Sequence, residues 1–118
     1  MNNNKIKGRK GEDIACQFLL DKGFSILETN YYASRHGEID IIAKDKDTLV
    51  FVEVKTRTTN NFGHPLESIT PLKIQKMHKA ASYYLTNNNT RAKAIRLDAV
   101  SITLKPELDI IHIENLSL

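Results

Sequence analysis

The sequence predicts an α/β fold, a mixed sheet of about five strands flanked by two main helices. Three observations point to it. Two windows carry apolar residues at helical spacing, two adjacent runs rich in β-branched residues are joined by a short polar turn, and two further strand-like runs close the chain. Their order is helix, three strands, helix, two strands. The length, 118 residues, suits a single domain over 1–118, with 1–7 expected to be a flexible lead.

The first helix is expected over 8–22, because Ile14, Ala15, Phe18 and Leu19 recur on one face and Gly23 stands where a C-terminal glycine cap belongs. A strand over 24–32 follows, anchored by Phe24, Ile26 and Leu27. The strongest strand signals are 38–44, with Ile39, Ile41, Ile42 and Ala43, and 48–56, with Leu49, Val50, Phe51, Val52 and Val54. Asp45, Lys46 and Asp47 between them are turn material, so the pair reads as a hairpin. Apolar residues on both faces of these strands predict a central place in a sheet covered on both sides. A polar loop over 57–69 contains Gly63 and Pro65. Thr70 followed by Pro71 gives an N-cap and a proline at the first helical position. The helix then runs to Thr86 with Ile74, Met77, Ala81, Tyr84 and Leu85 as its apolar stripe. Strands over 94–104 and 109–114, with Pro106 in the turn between them, complete the set.

Composition excludes several classes. Hydrophobic residues make up 41% and charged residues 26%, so the chain is not mainly disordered. The longest aliphatic-aromatic run, Leu49, Val50, Phe51 and Val52, is far short of a membrane span, and no membrane partner is expected. The first residues lack an apolar stretch, so no signal peptide is expected. Cys16 has no second cysteine to pair with, which excludes an intrachain disulfide framework and a cysteine-based zinc site. The expected compartment is the reducing cytoplasm. The formal net charge of +3 is weak evidence for a polyanionic partner, supported by Lys5, Lys7, Arg9 and Lys10 ahead of the first acid and by Lys73, Lys76, His78 and Lys79 later. Both clusters also read as solvated faces, which is the commoner case for any basic cluster, and charge alone does not separate the two.

The chemistry lies between Asp40 and Lys55. Residues two apart in a strand share a face, so Glu53 and Lys55 project together, opposite Val52 and Val54. A carboxylate and an ammonium side by side in a central strand are costly to bury unless paired or used. If Lys46 and Asp47 are the two central turn residues, Asp40 falls directly opposite Glu53 on the same face. Directly paired residues have Cβ atoms about 4.5–5.5 Å apart. Two carboxylates that close repel unless a proton or cation intervenes, and Mg²⁺ or Mn²⁺ suits such an oxygen site. A register slip of one residue would move Asp40 to the other face. Glu12 borders the core-facing stripe of the first helix. It reads as a first-turn glutamate favoured by the helix dipole, or as a third acid if that helix packs over the face carrying Asp40, Glu53 and Lys55.

Asp40 followed by Glu53, Val54 and Lys55 on the next strand resembles the PD-(D/E)xK nuclease signature, and Glu12 matches the extra helical acid of many members. The segments Gly8-Arg9-Lys10-Gly11-Glu12, Gly37-Glu38-Ile39-Asp40 and Val52-Glu53-Val54-Lys55-Thr56-Arg57, with Arg96-Leu97-Asp98 and Thr70-Pro71, resemble the YraN-like family of small bacterial proteins over nearly the whole chain. That family is similar to archaeal Holliday junction resolvases. Ile39 stands where the motif's nominal proline would be. The resemblance implies a restriction-endonuclease-like fold and a metal-dependent nuclease acting on DNA in preference to RNA, structure-specific in the manner of a resolvase. Asp40, Glu53 and Glu12 would hold Mg²⁺ or Mn²⁺, with the Val54 carbonyl contributing, and Lys55 would orient the attacking water. Cleaving two strands of a junction would call for a symmetric homodimer. The alternative on the same fold is a module that binds nucleic acid or protein without cleaving, and a third is an adaptor whose charges form an ion-pair network.

Lesser candidates are weighed singly. Arg9, Lys10, Arg35, Arg57, Lys73 and Lys76 would touch backbone phosphate or simply be solvated. Glu38 is expected to face away from Asp40, Gln75 to lie on the surface, and Asp98 to form a structural ion pair with an arginine. Tyr31, Tyr32, Tyr83 and Tyr84 are assigned to packing before base stacking. His36, His64, His78 and His112 have no zinc spacing, though His36 or His64 near the site would be placed to assist proton transfer. Cys16 reads as a buried small hydrophobe.

Overall fold

The computed structural model describes residues 3–59 and 63–117, without the side chains of 3–7, 65 and 66. Helix α1 (Asn3–Asp21) is followed by strands β1 (Ser25–Tyr32), β2 (Glu38–Asp45) and β3 (Thr48–Arg57), helix α2 (Pro71–Asn87), and strands β4 (Ala94–Thr103) and β5 (Asp109–Ile113). The expected α/β architecture is therefore observed, with element ends displaced by a residue or so except at α1. That helix starts at Asn3 instead of residue 8, since nothing in Lys5-Ile6-Lys7 breaks a helix. The segment expected to be flexible thus falls partly on residues 1 and 2, which lie outside the described residues. Two one-turn 3-10 helices, Ser34–His36 and Pro65–Ser68, lie in the loops.

The end of α1 follows from Gly23. Its φ of 96° is open to glycine and strained for other residues. Gly23 N–H reaches the Leu20 carbonyl and Phe24 N–H the Leu19 carbonyl, a Schellman closure that turns Phe24 back beside Leu19 in the core. Thr70 caps α2 by accepting the Lys73 N–H at 3.2 Å, with Pro71 at the first position, as the sequence signals.

The five strands lie in sequence order, antiparallel except for the parallel pair β3–β4, which α2 connects as a crossover. The β2–β3 hairpin pairs Asp45 with Thr48 and continues to Ile41 with Val52, the register expected from a Lys46-Asp47 turn. Lys46 takes a left-handed φ of 55° to close it. Strand alternation divides the core in two. Ile42, Leu49, Phe51 and Leu97 pack under Ile74, Met77, Ala81 and Tyr84 of α2, while Ile41, Ala43, Val50, Val52, Val100 and Ile102 pack under Ala15 and Leu19 of α1. Phe51, Val50 and Val52 are all fully buried, so the first half of β3 has no wet face, as its two-sided apolar pattern requires.

Candidate active site

The site arises where the central ladder stops. β2–β3 pairing ends at Ile41 and Val52, yet β2 continues back to Glu38 along β1 and β3 continues to Arg57 along β4. The two halves of the sheet part there, and Asp40 fills the gap. Its Oδ2 accepts the Val54 N–H at 2.8 Å, replacing a ladder bond. A strand residue directs its N–H and C=O to the same edge, so the Val54 carbonyl also faces this gap.

Asp40 and Glu53 line one cleft of about 420 Å³ between the 3-10 turn and α2, with His36, Lys73, Lys76 and Met77 among its walls. Burial raises the Asp40 pKa first, the Glu53 charge second, and Glu12 adds to both. The Val54 N–H and Lys73 pull it down, and the balance lies at about 7, against an ordinary 3.8. A carboxylate that resists ionising in the bare protein is one whose negative charge is incompletely compensated.

Glu53 has a partner. Lys73 Nζ stands 2.7 Å from its Oε1, and the Glu53 side chain is 15% exposed. Lys73 lies in the first turn of α2, where the helix dipole disfavours a cation and no acid offsets it. The sequence breaks a local rule at a helical position that pairs with Glu53, and such departures cluster at functional sites. In sequence terms Lys73 is only a phosphate candidate; its pairing with Glu53 depends on how the crossover seats α2.

Lys55 is half-buried and follows Glu53 by two on an unbulged strand, hence on the same face. Glu12 arrives differently from the expectation. The β-face beneath α1 is the one opposite Asp40 and Glu53, because Val50 and Val52 pack against Ala15 and Leu19. Gly11 lies so close to β3 that a Cβ there would collide with Thr56 Oγ1. That contact brings Glu12 to the open end of the sheet, near enough for its charge to act on Asp40. Glu12 and Lys55 are not among the residues lining the cleft. Among the described residues no three His, Cys, Asp or Glu side chains are grouped to hold a metal ion.

Glu38 corrects an expectation: it lines the same cleft as Asp40, as two residues separated by one must in a regular strand. His36 also lines it, whereas His64 does not. Arg9, Lys10 and Arg35 are exposed. Arg57 NH1 donates to the Gly63 carbonyl at 2.6 Å. Gln75 is exposed, Tyr31 and Tyr84 meet edge to face, and Cys16 is half-buried. Asp98 forms the expected structural pair. It is fully buried and receives Arg96 Nε and NH2 at 2.9 and 3.0 Å. His112 Nε2 at 2.8 Å and the Asn115 N–H at 3.0 Å complete its shell.

The Asp40 environment sets a stability prediction. A carboxyl whose folded pKa is raised stabilises the fold below its unfolded pKa, near 3.8, and that contribution is lost as pH rises through about 7. Asp40→Asn keeps an acceptor for the Val54 N–H and removes the charge. In metal-free urea melts the variant should gain on the native protein between pH 5 and pH 8, by on the order of a few kcal/mol. A gap that does not change with pH would contradict the incompletely compensated charge.

Among the described residues no helix is long and apolar enough to cross a membrane. The uncharacterised protein family UPF0102 matches residues 11–102. A UPF0102 protein of Dictyoglomus turgidum is 46% identical over 114 residues, covering 97% of this chain and 96% of that one. One from Clostridioides difficile is 48% identical over 113 residues, covering 96% and 97%. One from Persephonella marina is 44% identical over 110 residues, covering 93% and 91%. The match runs from Gly11 to Ile102 and so takes in Glu12, Asp40, Glu53, Lys55 and Lys73. The chain belongs to UPF0102, the YraN-like family that its motifs resemble.

Proposed function

We propose that the protein is a metal-dependent nuclease that hydrolyses DNA phosphodiester bonds. One observation carries this function: two carboxylates, Asp40 and Glu53, share a recessed cleft at a break in the sheet, where burial and the Glu53 charge outweigh what favours the Asp40 carboxylate. The PD-(D/E)xK pattern of Asp40, Glu53 and Lys55 supports it, and so does the absence of any acid from α2.

The donors fit a hard divalent cation. Both are carboxylate oxygens, the Val54 carbonyl faces the same gap, and Lys73 already holds positive charge against Glu53. Asp40, Glu53 and Val54 would hold Mg²⁺ or Mn²⁺, with Glu12 bearing on the ion from the middle of α1. When bound, the ion supplies Lewis acidity at the phosphoryl oxygen and lowers the pKa of water. The remaining work belongs to side chains. Lys55, on the Glu53 face, orients the attacking water and offsets the charge that develops on the phosphoryl oxygens. Lys73, freed from balancing Glu53, is positioned to meet substrate phosphate. Asp40 is fixed in orientation by the Val54 N–H.

The test is cleavage of branched, flapped, single-stranded and duplex DNA in Mn²⁺ or EDTA, with Glu53→Ala alongside. Native protein should cut at least one substrate in Mn²⁺ only, and Glu53→Ala should cut none above background. A native protein that binds DNA and cuts nothing with either metal would leave the non-catalytic binding module as the function.

A further inference from the structure

Two more hollows adjoin the acidic cleft. One, of about 650 Å³, is lined by Arg35, His36, Gly37, Lys76 and Lys79. The next, of about 410 Å³, shares His36 and Lys79 and adds His78 and Tyr83. His36 borders all three, Lys76 joins the first to the second, and Lys79 joins the second to the third. They make one trough that begins at Asp40 and Glu53 and runs along α2. No acid lines its two outer parts. Lys76 and Lys79, three apart on α2, repel each other within the helix. That cost is not offset by an acid anywhere in 71–87.

We propose that this trough binds single-stranded DNA and leads it to the carboxylates. The proposal rests on the nuclease function above for the choice of DNA, and it adds the form of the substrate. Three features select a single strand. First, Glu53 is only 15% exposed at the foot of a cleft walled by α2 and the 3-10 turn. A phosphodiester reaches it by descending between those walls, and a base-paired strand would have to unpair to do so. Second, Arg35, Lys76 and Lys79 are exposed cations set along one path, the pattern that tracks a sugar-phosphate backbone. Third, Tyr83 is half-buried in the outer hollow, with its ring 5.8 Å from that of His36 and 6.4 Å from that of Tyr31, both tilted against it. A ring braced in this way offers a π-surface to an unstacked base, which a duplex does not present.

The experiment is fluorescence anisotropy with a labelled oligo-dT 20-mer in EDTA, so that binding is read without cleavage. The native protein is expected to bind it at least about tenfold more tightly than a duplex of equal length. Lys76→Ala/Lys79→Ala, changed only at exposed positions, should lower the slope of log affinity against log salt by about 1.4, two contacts at roughly 0.7 each. Tyr83→Leu should weaken binding by on the order of tenfold with the slope unchanged. Duplex binding as tight as single-strand binding would overturn the proposal, as would native affinity and slope in the double-lysine variant. Oligo-U binding tenfold tighter than oligo-dT, or displacement of oligo-dT by polyglutamate of equal charge, would also overturn it in favour of RNA or an acidic protein. Failure of the nuclease function is a separate outcome. Single-strand binding that depends on Lys76, Lys79 and Tyr83, without cleavage in Mn²⁺, would keep the trough and remove the enzyme. Cleavage of duplex by a protein indifferent to those substitutions would do the reverse.

Discussion

Lys55→Ala is expected to lower DNA cleavage at saturating substrate by on the order of a hundredfold or more, with little change in affinity. The side chain follows Glu53 by two on a strand with unbroken pairing to β4, so it shares the face on which Glu53 meets the cleft. A second cation, Lys73, already balances Glu53, so the Lys55 ammonium is not required for ground-state neutrality there. A positive charge placed for the transition state acts on turnover, whereas one placed only to anchor phosphate acts on binding. The two roles separate in one series of measurements. An anchoring lysine would, on removal, weaken binding and lower the salt slope by about one contact, while turnover at saturation survived. Native turnover in saturated Lys55→Ala would remove Lys55 from the mechanism. Because Lys55 is half-buried at the end of a well-paired strand, its loss is not expected to unfold the chain, and a thermal melt of the variant verifies this.

Which parts of this arrangement were legible in the sequence follows from the range of the signals. That Asp40 and Glu53 meet on one face was legible because it is local, although the ladder stops one pair short of them and they are not paired directly. A two-residue turn fixes the register of a hairpin, and the register fixes which side chains share a face. The approach of Glu12 was not legible in that way. β3 is apolar on both faces, so its pattern does not say which face α1 takes, and α1 takes the one opposite the carboxylates. Lys73 was hidden for a related reason. It lies outside the apolar stripe of α2, and its contact with Glu53 depends on the seating of a crossover helix. The stop of the β2–β3 ladder is likewise invisible in a run that reads as unbroken strand from Glu38 to Lys44. The clearest retrievable signal was Glu38: counted by twos, it belongs on the Asp40 face. His112 was retrievable too. It pairs with Val100 on β4, which sets it diagonal to Asp98 two residues away, within reach of a long side chain.

That diagonal sets the largest stability effect expected in the molecule. Asp98→Ala should destabilise the protein by about 3–5 kcal/mol, the cost of breaking a buried charge pair from one side. Asp98 has no exposed surface and accepts four hydrogen bonds, two from the Arg96 guanidinium, one from His112 and one from the Asn115 N–H. Lys22 Nζ stands 2.7 Å from His112 Nδ1, and a lysine ammonium only donates, so Nδ1 accepts and the ring hydrogen on Nε2 goes to Asp98. Phe18 and Phe24 close around the same imidazole edge to face. Alanine would leave Arg96 Nε and NH2 and the 3% exposed His112 without their Asp98 acceptor, while Arg96 NH1 keeps Asp45 at 3.5 Å. Burial alone would raise the Asp98 pKa, but the bonds from His112, Arg96 and Asn115 outweigh it and hold the carboxyl below its ordinary 3.8. A depressed carboxyl contributes stability above its unfolded pKa and loses it as pH falls through the folded value. The native advantage over Asp98→Ala should therefore be full at neutral pH and shrink only on the acid side of 3.8. Asp98 projects to the α1 side of β4, with Val100 and Ile102, and not into the carboxylate cleft. Any stabilisation by Mn²⁺ through Asp40 and Glu53 should accordingly persist in Asp98→Ala at reduced melting temperature. Denaturant melts with and without Mn²⁺ at pH 7 check both parts. A loss under about 1 kcal/mol would show that the buried network contributes little, since that is the range of exposed pairs, and a vanished metal response would couple Asp98 to the cleft.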